Sequence, residues 1–226
     1  MNTRQLALKV TKEEQNVTRK VFFDGKAFDI DKEVYEPAED TLLLASNLKP
    51  EKGDAVLDIG TGCGILAVLT ASKAKHVVAL DINPNAARCS HRNAKANGVS
   101  ERLDVVCGDL FRPLRENVLF DLILFNAPYL PTEEDERVDW VDYAWSGGRG
   151  GRETIDRFVA DVSRHMNLKG RVLLVQSTLS GVERTLEELK AQGLMAGILA
   201  QREVAFETIT LIEAVRTPHM RQAQGF

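Results

Sequence analysis

Four short stretches hold residue types that suit a ligand site. The first, Asp58-Ile59-Gly60-Thr61-Gly62-Cys63-Gly64, has the spacing D-x-G-x-G-x-G. Glycines at such a turn let the backbone double back and approach a ligand with no Cβ in the way. The dinucleotide-binding pattern G-x-G-x-x-G puts its third glycine one position later. The spacing here therefore favours close approach to an amino-acid or ribose portion over the cradling of a pyrophosphate. The second stretch is Leu80-Asp81-Ile82-Asn83-Pro84. The Asp81 carboxylate can accept hydrogen bonds from both hydroxyls of a ribose, and Asn83 is the better cap for a helix starting at Pro84. The third is Cys107-Gly108-Asp109-Leu110, where the acid can accept from an exocyclic amine while Leu110 packs on a base. Together these describe a nucleoside pocket without a phosphate site. The fourth is Phe125-Asn126-Ala127-Pro128-Tyr129-Leu130-Pro131. Taken alone, it reads as an asparagine starting a turn and a proline stopping a strand.

The elements needed to bring these stretches together are legible from residue 55 onward. Short apolar runs at 55–59, 76–80, 103–106, 121–125 and 171–176 alternate with helical patterns at 65–74, 84–97, 155–166 and 182–192. Gly170 reads as the end of the third of those helices. Alternation of this kind implies βα units on a parallel sheet. In such a sheet ligands bind beyond the carboxyl ends of the strands, where all four stretches fall. Two late β-like runs, 198–204 and 206–212, have no helix between them and suit an antiparallel hairpin at one edge. Upstream, two apolar runs flank Asp24-Gly25, a hairpin signal, and 38–48 is a candidate helix with Leu42, Leu43 and Leu44 on its buried face. The organisation expected is an N-terminal extension with a hairpin packed on the core (1–34), one large domain (35–213) and a polar, basic tail (214–226).

Composition narrows the class. The 226 residues suffice for one large domain. With 44% hydrophobic and 27% charged residues, the chain reads as an ordinary globular protein. A net charge of −4 argues against a long basic face for nucleic acid. Cys63, Cys89 and Cys107 are scattered, with no C-x-x-C, and the four histidines lack ligand spacing. Free thiols in a reducing compartment and no metal are expected. No run approaches the roughly 18 apolar residues of a membrane span, and no signal peptide opens the chain. A cytoplasmic protein without a membrane partner is the expectation.

The D-x-G-x-G-x-G turn and the acids at the next two strand ends resemble the class I S-adenosylmethionine-dependent methyltransferases over roughly residues 35–213. Asn126-Ala127-Pro128-Tyr129 resembles the N-P-P-Y motif of those members that methylate planar nitrogen. Two longer runs, Tyr35-Glu36-Pro37-Ala38-Glu39-Asp40-Thr41 and Trp145-Ser146-Gly147-Gly148-Arg149-Gly150-Gly151-Arg152-Glu153, are similar to the eukaryotic and archaeal HemK-type branch, in which Ser146 would be an alanine. The resemblance implies an α/β, Rossmann-like fold with a mostly parallel seven-stranded sheet, an antiparallel edge strand and helices on both faces. It implies S-adenosylmethionine held by Thr41, Asp58, Gly60, Gly62, Gly64, Asp81, Asp109, Leu110 and Asn126. It implies catalysis by Asn126, Ala127, Pro128 and Tyr129, in which an Asn side-chain oxygen and a backbone carbonyl each accept one N–H and the Tyr ring stacks on the flat group. The implied reaction is N5-methylation of the glutamine in the Gly-Gly-Gln loop of a peptide-chain release factor. A small zinc-binding activator of the Trm type is the implied partner along the third-strand edge, where Leu103, Val105 and Val106 read equally well as core.

Other readings stand beside this one. A nucleic-acid methyltransferase acting on adenine N6 or guanine N2 shares the four-residue motif, and the acidic balance disfavours it. A protein lysine methyltransferase is a further alternative. An NAD-linked dehydrogenase fails on glycine spacing. A scaffold that binds cofactor without catalysis is supported only by Ala127, where the motif usually has proline. If the 127 carbonyl is what matters, proline should be tolerated there, provided the 127 N–H has no buried acceptor. The acidic run Glu133-Glu134-Asp135-Glu136 reads as a solvated loop or as a surface for a basic substrate loop.

Overall fold

The structure, a computed structural model, describes residues 9–12, 19–132 and 139–217. In chain order the elements are β1 (Lys9–Lys12), β2 (Arg19–Phe23), β3 (Lys26–Ile30), α1 (Glu39–Ser46), β4 (Ala55–Ile59), α2 (Ile65–Ala71), β5 (His76–Asp81) and α3 (Pro84–Ala96). They continue with β6 (Leu103–Cys107), β7 (Phe120–Asn126), α4 (Asp142–Trp145), α5 (Glu153–Val162), β8 (Met166–Ser177), α6 (Val182–Ala191), β9 (Leu194–Glu203) and β10 (Thr208–Arg216). The acidic run at 133–136 and the end of the basic tail lie outside the described residues. Among the described residues no helix is long and apolar enough to cross a membrane.

Seven strands form one sheet in the order β6-β5-β4-β7-β8-β10-β9. The pairings from β6 through β8 are parallel, and β10 runs antiparallel to both of its neighbours. The late strands thus make the expected antiparallel hairpin at the rim. The reversed strand, β10, sits one place in from β9. The chain winds outward from β4 through β5 to β6, then returns to place β7 on the other side of β4. That reversal opens a crevice at the carboxyl ends of β4 and β7. Val56, Leu57, Asp58 and Ile59 in β4, and Leu122 to Phe125 in β7, are all shielded from solvent. Strands buried on both faces require cover on both, which is why these runs are continuously apolar rather than alternating.

The N-terminal hairpin forms as its Asp-Gly signal predicts. Asp24 and Gly25 both take positive φ, +47° and +74°, the geometry of a two-residue hairpin turn. Val21, Phe23, Phe28 and Ile30 point inward. The Asn93 side chain of α3 accepts from the Asp29 N–H at 2.9 Å and donates to the Asp29 carbonyl at 2.8 Å, and so continues the β3 edge with an amide.

The region between α5 and β8 departs from the sequence expectation. The helix expected over 155–166 ends at Val162. Ile155, Phe158, Val159, Val162 and Met166 keep helical spacing, so Met166 reads as one more turn. Instead, Met166 starts β8. His165 stacks on Phe111 with ring centroids 4.7 Å apart, and its Nδ1 lies 3.1 Å from the Val118 carbonyl. Asn167 donates to Asp121 Oδ1 at 2.7 Å. These long-range contacts draw the chain into the sheet early. Gly170 lies within β8, where a Cβ would come within 2.9 Å of the Phe120 carbonyl oxygen. Likewise β9 begins at Leu194 and β10 continues to Arg216, and Phe206 belongs to the turn between them.

Candidate active site

The crevice beyond β4, β5 and β7 contains a cavity of about 250 Å³, many times the space one water needs. Of the residues singled out in the sequence, Thr41, Gly60, Gly62, Asp81, Asp109, Leu110, Asn126 and Pro128 line it.

The glycine turn after β4 is closed from the neighbouring strand. Asp81, at the end of β5, accepts from the Gly62 N–H at 2.8 Å through Oδ2 and from the Asn83 N–H at 2.9 Å through Oδ1. Burial raises its pKa, and those two bonds oppose the shift. Gly62 has φ +56°, and nothing lies within 4 Å of where its Cβ would be, so its backbone faces open space. Gly64 does different work. A Cβ there would meet Ser90 Oγ at 2.5 Å, so this glycine permits α2 to pack against α3 and stands behind the cavity wall. Asp58 is also behind the wall and wholly buried. Its Oδ2 accepts from Thr61 Oγ1 at 2.6 Å, and its Oδ1 has no well-formed hydrogen bond among the described residues. Burial pushes the Asp58 carboxyl up to about 7, against the Thr61 bond.

Asp109 is paired. The Arg157 guanidinium of α5 bonds its carboxylate, and Arg112 lies 3.1 Å away. Leu110 takes φ +47° to reach the cavity wall. Next to Asp81, Ile82 leaves β5 and is 45% exposed on the cavity side. Its sequence signal is an apolar residue immediately after a strand-end acid.

At the fourth strand end, Asn126 Nδ2 donates to Thr41 Oγ1 at 3.3 Å, and Asn126 Oδ1 is buried without a hydrogen-bond partner among the described residues. Thr41 is itself held by Asp40, whose Oδ1 accepts from both the N–H and the hydroxyl of Thr41. Tyr35 donates to the other Asp40 oxygen at 3.1 Å. The run Tyr35–Thr41 is therefore tied to Asn126. The Ala127 N–H donates to the Val175 carbonyl at 3.3 Å, so the condition for a harmless proline is not met. Where the motif usually carries proline, alanine keeps one further bond between β7 and β8.

Tyr129 is not among the residues that line the cavity; it is buried, and burial, followed by the charge of Asp40, raises its phenol pKa. Aromatic surface comes instead from Trp140 and Tyr143, whose ring centroids are 5.6 Å apart. The Gly-rich segment clamps the loop that carries the motif. Leu130 N–H donates to the Trp145 carbonyl at 2.9 Å, Gly147 N–H to the Leu130 carbonyl at 2.8 Å, and Thr132 N–H to the Gly148 carbonyl at 3.1 Å. Ser146 Oγ lies 2.6 Å from Thr132 Oγ1, a bond an alanine at this position would not make. A Cβ on Gly151 would fall 2.3 Å from the Tyr129 carbonyl oxygen. Arg152 fastens the segment to α6. It donates to the Ser180 and Gly181 carbonyls and to Thr185 Oγ1, and it pairs with Asp156 and Glu188.

Comparison with known proteins agrees with this layout. Residues 36–141 match the family described as Methyltransferase small domain. A Methanocaldococcus jannaschii protein designated a protein N5-glutamine methyltransferase is 42% identical over 197 residues, covering 85% of this chain and 97% of its own length. Methyltransferase HEMK2 of Homo sapiens is 32% identical over 196 residues, covering 82% of this chain and 91% of its own. Among solved structures, the E. cuniculi Mtq2–Trm112 complex, described as responsible for methylation of the eRF1 translation termination factor, superposes with a TM-score of 0.60 at 26% identity. It covers 82% of this chain and 99% of the matched one. With whole-length relatives of this kind and the same fold around the strand-end site, the chain belongs to the HemK-type branch of the class I methyltransferases.

Proposed function

We propose that this protein is an S-adenosylmethionine-dependent glutamine N5-methyltransferase whose substrate is the Gly-Gly-Gln glutamine of a peptide-chain release factor. The observation that carries the reading is the buried Oδ1 of Asn126 at the cavity, which has no hydrogen-bond partner among the described residues. A buried acceptor without a donor is costly, and an amide N–H of the substrate would satisfy it.

The residues present fit the cofactor. Asp81 offers a fixed carboxylate to two ribose hydroxyls. Ile82 and Leu110 offer apolar faces for a base, and Asp109 an acceptor for its amine. The open side of Gly62 admits close backbone contact. When bound, S-adenosylmethionine supplies an electrophilic methyl group on a sulfonium. The remaining work belongs to the chain. An amide nitrogen is a poor nucleophile because its lone pair is delocalised, so orientation and charge stabilisation must supply the rate. Thr41 fixes the Asn126 amide by accepting from Nδ2, which leaves Oδ1 to accept one N–H of the target glutamine. The Ala127 carbonyl accepts the other. Both acceptors draw positive charge from the nitrogen as its bond to carbon forms. The proton leaves after transfer, so no strong base is needed. Trp140 and Tyr143 present rings to the flat amide.

A small activator protein of the Trm type is the expected partner, as in the Mtq2–Trm112 complex. The β6 strand is the rim of the sheet and is the surface proposed for it. Val105 and Val106 are half-buried there, Leu103 is core, and Asp104 is paired with His76 at 3.1 Å. The test of the reaction is to incubate the protein and activator with labelled cofactor and purified release factor, and separately with RNA and DNA. Label mapping to the Gly-Gly-Gln glutamine supports the reading, and label found only in nucleic acid refutes it.

A further inference from the structure

Two loops at the end of the sheet carry exposed apolar side chains. Phe206, at the tip of the β9–β10 hairpin, is 94% exposed, and Leu179, in the turn after β8, is 53% exposed. The Thr208 N–H donates to Thr178 Oγ1 at 3.1 Å and joins the two loops. The hairpin is held over the start of α1 by an ion pair between Arg202 and Glu39 at 2.6 Å. Glu39 lies two residues before Thr41, which lines the cavity and holds Asn126. The Val204 N–H closes the tip by donating to the Glu207 carbonyl at 3.0 Å.

Glu207 adds a polar requirement. Its Oε2 is buried and has no hydrogen-bond partner among the described residues. A carboxylate oxygen withdrawn from water needs a donor, and a cationic one is the strongest. The carboxylate belongs to the same tip, between Phe206 and Thr208, whose N–H ties the tip to the loop after β8, and Arg202 of the same hairpin pairs with Glu39, two residues from the cavity-lining Thr41. A fully exposed aromatic ring could stack on a nucleobase, but the neighbouring carboxylate repels a phosphate backbone. A protein surface with an apolar seat beside a lysine or arginine satisfies both features.

We propose that the β9–β10 tip docks the protein that carries the target glutamine. Phe206 and Leu179 enter an apolar depression of that protein, and Glu207 accepts from a basic side chain near the methylated loop. The proposal rests on the release-factor reading and assigns the surface that selects that substrate. The test is steady-state kinetics on intact release factor, with activator present and cofactor saturating, for wild type, Phe206→Ala and Glu207→Gln. Each variant should raise KM for the factor at least about tenfold, as loss of an interface anchor does. Turnover at saturating factor and cofactor affinity should stay within about twofold. The Glu207→Gln protein should also lose most of the salt dependence of KM. Because Phe206 touches solvent almost everywhere, its removal leaves the fold intact, which a thermal melt verifies. If wild type methylates the factor and neither variant changes KM, the docking proposal fails and the glutamine reading stands. A fall in turnover with KM unchanged also overturns it. Label transferred to RNA and never to the factor overturns both.

Discussion

Replacing Ala127 with proline should destabilise the protein measurably while leaving both substrate acceptors in place. The Ala127 N–H reaches the Val175 carbonyl at 3.3 Å, and Val175 is fully buried. Proline has no N–H to give. A buried acceptor left unmatched costs about 1–3 kcal/mol, and the length of this bond points to the lower half of that range. Proline also stiffens the unfolded chain, which returns about 0.4–1 kcal/mol. The net loss should be about 1 kcal/mol, or about 2–4 °C in melting temperature for a chain of this size. Ala127→Gly makes the useful contrast. It keeps the N–H but removes a buried methyl and widens the unfolded ensemble, for a loss of about 1 kcal/mol by a different route. Both variants retain the 127 carbonyl, so turnover should remain within about tenfold of wild type. Thermal melts followed by circular dichroism, with initial rates at saturating cofactor, read both quantities. A proline variant that melts at or above the wild-type temperature would show that the Ala127–Val175 bond contributes nothing.

Asp81→Ala should weaken S-adenosylmethionine binding by about 1–3 kcal/mol through loss of a charged acceptor, and unchanged affinity by calorimetry in a folded variant would remove the ribose assignment. Asp58 has its folded pKa raised from 3.8 to about 7 by burial, so the folded state holds this proton more tightly than the unfolded one. Its contribution is therefore greatest below about pH 4, declines as pH rises to about 7 and is flat beyond. Relative to wild type, Asp58→Asn should lose that decline in urea unfolding between pH 5 and pH 8, and an identical pH slope in the two proteins would contradict the burial argument. Gly64→Ala should cost more than about 1 kcal/mol, since φ is +84° and the new methyl would meet Ser90 Oγ at 2.5 Å. Denaturant unfolding that shows no loss would mean that α2 and α3 are not packed as closely as described.

The strand-end stretches were legible because each is local. A glycine turn, or an acid closing an apolar run, places its ligand-facing atoms within a few residues of chain, and the βα alternation then dictates that the strand ends converge. Residues that act through distant pairing were not. Trp140 and Tyr143 reach the cavity because the chain just beyond them bonds to the loop after Asn126, through the Leu130–Trp145 and Gly147–Leu130 bonds. No local pattern encodes that pairing. Tyr129 sits in the motif and is buried, with Gly151 of the Gly-rich segment packed on its carbonyl from more than twenty positions away. The false helical turn at Met166 has the same origin. Its spacing is helical, and His165 and Asn167 override it with bonds to residues more than forty positions earlier. Ala127 shows the converse, since its N–H partner became visible only once β8 lay beside β7.

The most direct test of the central claim is the initial rate of Asn126→Ala on release factor, with cofactor affinity measured alongside. If the side-chain oxygen orients the target amide and takes up its developing charge, turnover should fall at least about a hundredfold. Cofactor affinity should stay close to wild type and the melting temperature should fall by no more than a few degrees, because the variant loses only the 3.3 Å bond from Nδ2 to Thr41 and Oδ1 has no partner among the described residues to lose. A folded Asn126→Ala protein that methylates the factor at a near-normal rate would contradict the assignment of this residue and, with it, the proposed mechanism.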